Sequence, residues 1–169
     1  LDRALPRFDR RPPRRMDLGH GLCTYGHAIT FADEAQVREQ PTIALRLFAT
    51  AVARDLPVLP EARDAVTRES ADPAWAAALR AIPEAPSLFV KLVTTTKRAP
   101  FRTDSVLAEL HDVGLLVAMI PEFLPVVGRA HHDVYHVYTV DVHSVAAVDH
   151  LRSLIRGERD ELQPLATRL

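Results

Sequence analysis

A single cysteine, Cys23, stands in 169 residues. One thiol makes no internal disulfide, so the fold rests on packing, and such a thiol suits a reducing compartment. No apolar run approaches the roughly 18 residues that span a bilayer. No charged-then-apolar leader opens the chain. The formal net charge is -1, which sets up no global field toward nucleic acid or a membrane surface. Absent too are the glycine patterns G-x-x-x-x-G-K and G-x-G-x-x-G that cradle phosphates, and the G-x-S-x-G turn of many hydrolases. Cys23 has His20 and His27 nearby, but nothing around it marks a catalytic thiol. The expectation is a soluble, cytoplasmic protein that needs neither nucleic acid nor membrane.

What is present is ordinary globular material, with 47% hydrophobic and 25% charged residues. The length suits one compact domain or two small pieces of a larger protein. The chain opens on Leu1, and Leu165 to Leu169 carry no glycine or proline stop signal. Both ends therefore read as positions inside a longer reading frame.

Residues 1–16 hold six arginines, at positions 3, 7, 10, 11, 14 and 15, with three prolines. Acidic residues interrupt the run and no aromatic ladder accompanies it. It reads as a solvated linker rather than an RNA-binding arm. Residues 20–31, HGLCTYGHAITF, place short β-prone runs around Tyr25-Gly26 and predict a small hairpin.

Beyond it the apolar period is 3.6 almost throughout. Prolines fall mostly at segment boundaries, which predicts short helices rather than a long bundle. Pro41 opens a stripe of Ile43, Leu45, Leu47, Phe48, Ala51 and Val52. Asp72-Pro73 reads as a cap followed by a first-turn proline. Thr103 or Asp104 is the expected cap of a helix bearing Val106, Leu107 and Leu110, which Gly114 ends. Pro121 opens a short helix ending at Gly128. A last long helix is expected over 139–156, with Val140, Ala147, Val148, Leu151, Leu154 and Ile155 facing the core, and Leu162 and Leu165 hint at one more. The fold class is mainly all-α, in short proline-punctuated helices with a small N-terminal β-hairpin. Trp75, Phe48, Phe89, Leu107 and Phe123 are the expected core anchors.

The histidines carry the chemical interest. Five of the eight lie between positions 131 and 150, at 131, 132, 136, 143 and 150, interleaved with Asp133, Asp141 and Asp149. Imidazole and carboxylate ligate hydrolytic metals, although none of the usual zinc spacings occurs. His143 and His150, seven apart, share one helix face. His111-Asp112 has the form of a metal-binding His-Asp doublet, but Leu115 follows Gly114 where lysine is usual, and the histidine-rich helix lies downstream of it. The plainer reading is an exposed helix end. His132-Asp133 is likewise out of order for a central doublet.

Residues 113–152 read VGLLVAMIPEFLPVVGRAHHDVYHVYTVDVHSVAAVDHLR. This resembles the segment of the PII-protein uridylyltransferase/uridylyl-removing family that joins the nucleotidyltransferase domain to the HD phosphohydrolase domain. The matching positions are Ile120-Pro121-Glu122-Phe123, Val127-Gly128, His132-Asp133, His136 to Asp141, and His143. More loosely, the hairpin and the helix after Gln40-Pro41 resemble the family's stretch beyond the transferase core. The resemblance implies three parts: 1–32, a basic linker and hairpin ending the transferase region; 33–130, a helical connector; and 131–169, the opening of an HD domain. It implies that His143 is the first metal histidine, binding Mg²⁺ or Mn²⁺ for hydrolysis of the phosphodiester between UMP and a PII tyrosine. It gives His132, Asp133, His136 and Asp141 a supporting role, orienting ligands.

The resemblance is partial. The family's Gly-Ser and paired-Asp transferase motifs, the HD doublet after His143 and the glutamine-sensing domains do not occur in these residues. With one ligand of four, this chain is not expected to hold the metal firmly or to work alone. PII and UTP or UMP are then partners of a parent enzyme. Two other readings compete: a non-catalytic helical binding or regulatory module derived from the family, and a reduced metal phosphohydrolase built on 131–150.

Overall fold

The computed structural model describes residues 14–129 and 138–158. Three antiparallel strands, β1 (Arg15–Gly19), β2 (Leu22–Tyr25) and β3 (Ala28–Phe31), form a sheet in sequence order. The expected hairpin is β2–β3, with Tyr25 opposite Ala28 and Gly26 turning the chain at φ 64°. The sheet has one strand more than expected. β1, drawn from the end of the arginine-rich arm, pairs Arg15 with Tyr25 and is irregular between Asp17 and Gly19. Gly19, His20 and Gly21 all adopt positive φ and carry the chain from β1 to β2.

Helices follow in close succession: α1 (Gln36–Glu39), α2 (Thr42–Arg54), α3 (Pro60–Ser70), α4 (Pro73–Ala81), α5 (Ala85–Val93), α6 (Val106–Asp112) and α7 (Leu115–Met119). A 3₁₀ helix, Pro121–Val126, comes next, and α8 (Val140–Ile155) is the last described element. Proline sets the helix starts. Pro60 and Pro73 occupy first-turn positions of α3 and α4, where a missing N–H costs nothing. Asp72 caps α4 by accepting the Ala74 N–H at 2.9 Å.

Two expected boundaries differ. The cap of α6 is Ser105, whose hydroxyl accepts the Ala108 N–H at 3.0 Å. Asp104 cannot serve, because its φ of 55° is left-handed whereas a capping residue is extended. The segment at Pro121 is a 3₁₀ helix, in which the Phe123 N–H donates to the Ile120 carbonyl three residues back at 3.0 Å.

Sheet and helices share one hydrophobic core, with Leu22, Ile29 and Phe31 contacting the same buried cluster as α2, α3 and α4. Phe48 is fully buried at its centre, its ring edge-on to Phe101 with centroids 5.9 Å apart. Trp75, Phe89 and Leu107 are buried as expected, while Phe123 is only partly covered. The Trp75 indole N–H donates to the Val37 carbonyl at 2.8 Å, tying α4 to α1. Cys23 is buried in β2 with its thiol against the Phe31 carbonyl, while His20 and His27 are exposed.

α8 packs on its unexpected side. Its buried residues are Asp141, Val145, Arg152 and Ser153. Val148, Leu151 and Ile155, assigned above to the core, are 37%, 59% and 72% exposed. Val148, Leu151 and Ile155 lie beside the docked face rather than in it, and that face meets polar groups of α6 and α5, the His111 imidazole and the Val93 carbonyl, as well as packing Val145 into the core. No described helix is long and apolar enough to cross a membrane.

Gly114 closes α6 at φ 77°, and a Cβ there would lie 2.6 Å from the Ser70 hydroxyl, which donates to the Val113 carbonyl. Gly114→Ala should lower stability by about 1–2 kcal/mol from backbone strain alone, measured as a reduced urea midpoint without loss of helical circular dichroism. An unchanged midpoint would mean that α6 ends differently.

Candidate functional site

The site is assembled where α8 begins. Asp141, in the first turn of α8, is 3% exposed. Its Oδ2 accepts the Gly128 N–H at 3.2 Å and stands 3.0 Å from His111 Nε2. An ionised carboxylate only accepts, so Nε2 carries the proton of this bond. The His111 ring lies edge-on to Phe123, with centroids 6.1 Å apart. The end of α6, the 3₁₀ helix, the turn at Gly128 and the start of α8 thus converge on one imidazole–carboxylate pair.

Burial by itself pushes the Asp141 carboxyl upward, since a charge loses its hydration. Hydrogen bonds from Thr139, the Gly128 and Val142 N–H groups and His111 outweigh that and hold it at about 2. The carboxylate is therefore a fixed anion at neutral pH, supported by backbone dipoles at the start of a helix.

His111 corrects the exposed-helix-end reading, because its side chain is only 16% exposed. Its neighbour Asp112 faces elsewhere, accepting from Arg102 at 3.0 Å and lying 4.0 Å from Arg63. The two residues of the doublet therefore serve different partners. Arg63 also pairs with Glu109, which is 1% exposed and raised by burial despite that partner. Glu109 Oε2 has no hydrogen-bond partner among the described residues.

His143 is exposed on α8, and His150, half-buried, lies on the same side seven residues on. Asp141 precedes His143 by two positions, about 200° around a helix. Its carboxylate therefore points into the protein while the imidazole of His143 points out. What Asp141 orients is the helix. His132, Asp133 and His136 lie outside the described residues. Among the described residues no group of three or more histidine, cysteine, aspartate or glutamate side chains is gathered that could hold a metal. One exposed imidazole is not a metal site, so these residues alone do not fit Mg²⁺ or Mn²⁺.

The residue missed from sequence is His111. It stands 30 positions from its partner, and no spacing rule links residues on separate helices. The available signal was its place on a short amphipathic helix beside buried Leu110.

Fold and site together define a helical unit that fixes a histidine-bearing helix through a buried clamp. The sequence belongs to the family of bifunctional uridylyltransferase/uridylyl-removing enzymes, of which it matches one segment. It is 32% identical over 175 aligned residues to the enzyme of that name from Azospirillum brasilense, covering 97% of this chain and 18% of the relative. The corresponding enzyme of Caulobacter vibrioides is 34% identical over 166 residues, covering 98% and 17%. The chain thus spans less than a fifth of the length of these relatives. No protein-family model and no solved structure matches it.

An aspartate held at about 2 rather than 3.8 stabilises the fold where it is ionised. That contribution, about 2 kcal/mol, is complete above pH 4 and is lost as pH falls from about 4 to 2. Asp141→Asn should lose a similar amount at pH 7 and flatten this part of the urea-midpoint profile against pH. A variant whose acid profile matches wild type would show that Asp141 is not the group responsible.

Proposed function

We propose that this chain is the connector of a uridylyl-transferring and uridylyl-removing enzyme, and that it sets the first helix of the enzyme's hydrolase domain. The observation that carries the reading is the clamp. Phe123, Gly128 and Asp141, three positions on which the family resemblance rests, surround His111 and fix the start of α8. The fixed helix holds His143 outward, toward whatever follows.

In this reading His143 contributes one ligand for Mg²⁺ or Mn²⁺, and the remaining ligands come from other parts of the complete enzyme. Such a metal, held by His143 together with ligands from the rest of the enzyme, would supply the Lewis acidity for cleaving the UMP–tyrosine linkage on PII. The contribution of this chain is to hold one imidazole in place. The exposed stripe of Val148, Leu151 and Ile155 supports the reading, since further helices of a hydrolase domain would cover it. UTP and PII belong to the same proposal, as substrates of the whole enzyme in the cytoplasm.

The test uses the full-length enzyme containing this segment. His143→Ala should reduce metal-dependent release of UMP from uridylylated PII by at least about 100-fold while leaving uridylyl transfer within about twofold. His111→Ala should lower the removing activity less, through a displaced α8. Full removing activity in His143→Ala would sink the assignment. It would favour the non-catalytic module.

A further inference from the structure

Between residues 94–105 and the C-terminal half of α8 lies an open cleft of about 790 Å³. One wall presents Lys97 and Arg98, and the other His150, Arg152 and Arg156. Arg152 is committed to packing: it bonds Asp149 at 2.8 Å and the Val93 carbonyl. Arg156 is anchored by one terminal nitrogen to the Thr96 carbonyl at 3.0 Å, which leaves its Nε and other terminal nitrogen directed at Glu158. Arg98 directs Nε and one terminal nitrogen at the Glu158 carboxylate, at 3.1 and 3.0 Å. Arg156 directs the same two kinds of nitrogen at the same carboxylate, at 2.6 and 3.1 Å. Four N–H donors from two planar guanidinium groups thus meet on two oxygens. The side chains of Lys97 and His150 have no hydrogen-bond or ion-pair partner among the described residues.

Two guanidinium groups converging from opposite walls are suited to a tetrahedral oxyanion, which offers more acceptor positions than a carboxylate and more charge. Asp104 gives little relief, standing 3.9 Å from Arg98 at the surface. Since the whole chain carries a net charge of -1, the surplus of cations in this cleft is local.

We infer that the cleft is a binding site for a phosphate group, and that Glu158 occupies its guanidinium forks as an internal competitor when no ligand is bound. A phosphate displaces the Glu158 carboxylate from Arg98 and Arg156 and gains Lys97 as a third cation. The paired arginines hold Glu158 ionised, with its carboxyl lowered to about 2, so the competitor keeps its charge across the neutral range. This site needs neither His143 nor a metal and stands independently of the function proposed above.

The test is calorimetric titration of the 169-residue chain with pyrophosphate and, separately, with AMP, at low ionic strength. Glu158→Ala should tighten binding by about fivefold or more, because it removes the competitor. Arg98→Ala and Lys97→Ala should each weaken it by about tenfold. Arg54→Ala, at the end of α2, should change nothing. Response to pyrophosphate alone marks an inorganic oxyanion site, and response to AMP marks a nucleotide phosphate site; either supports the proposal. No binding of either probe, equal affinity in all variants, or weaker binding in Glu158→Ala would overturn it.

Discussion

The carboxylate of Asp141 is the constraint on which the position of α8 depends. A buried anion is costly unless hydrogen bonds replace the lost water. Here those bonds come from different parts of the chain: the Gly128 backbone after the 3₁₀ helix, the His111 ring at the end of α6 and the first turn of α8. Each donor is held by something else. His111 sits on a helix whose apolar side is in the core, and the 3₁₀ helix places Phe123 against the imidazole. The start of α8 is therefore fixed by direction-dependent bonds rather than by apolar contact alone.

The same logic runs along the helix. Near its far end Arg152 is almost fully buried, bridging Asp149 and the Val93 carbonyl, and Arg156 reaches the Thr96 carbonyl at 3.0 Å. Between these polar anchors Val145 is the one buried apolar side chain of α8. A helix docked this way leaves its apolar residues available. Val148, Leu151 and Ile155 form an exposed stripe beside the docked face, while His143 and His150 lie on the side away from Asp141. This helix thus has a docked face that is mostly polar and an exposed apolar stripe next to it.

The two regions of chemical interest on α8 differ in kind. At its start the buried Asp141 carboxylate is bonded through Oδ2, with Oδ1 left without a partner among the described residues, and it serves to position the backbone. At its end two guanidinium groups, those of Arg98 and Arg156, meet on one carboxylate in an open cleft, with the Lys97 ammonium beside them. A buried hydrogen-bonded pair fixes geometry, whereas accessible guanidinium groups suit an anionic ligand.

Much of the fold was legible in the sequence for local reasons. Proline lacks an N–H, so Pro60 and Pro73 begin helices wherever the chain goes next, and Asp72 caps the turn beside it. The alternation around Tyr25-Gly26 gives a hairpin through the pleat of a strand. Phe48, Trp75 and Phe89 are buried because their helices have a single apolar side. The family, too, was legible, since matching residue types are read along the chain and need no third dimension.

The site was legible only in part. Asp141 and His143 stand out by type and motif, but that one points inward and the other outward follows from which neighbour α8 meets. Periodicity finds a stripe and cannot say which side is covered, and Val148, Leu151 and Ile155 were assigned to the wrong side for that reason. His111 and Asp141, and likewise Arg98 and Glu158, are partners separated by long stretches of chain. Sequence alone determined most of the elements, the Asp72 cap and the family, because those depend on near neighbours and residue identity. Tertiary structure decided the clamp, the outward face of α8 and the cleft, because a hydrogen bond between helices depends on distances that only packing sets.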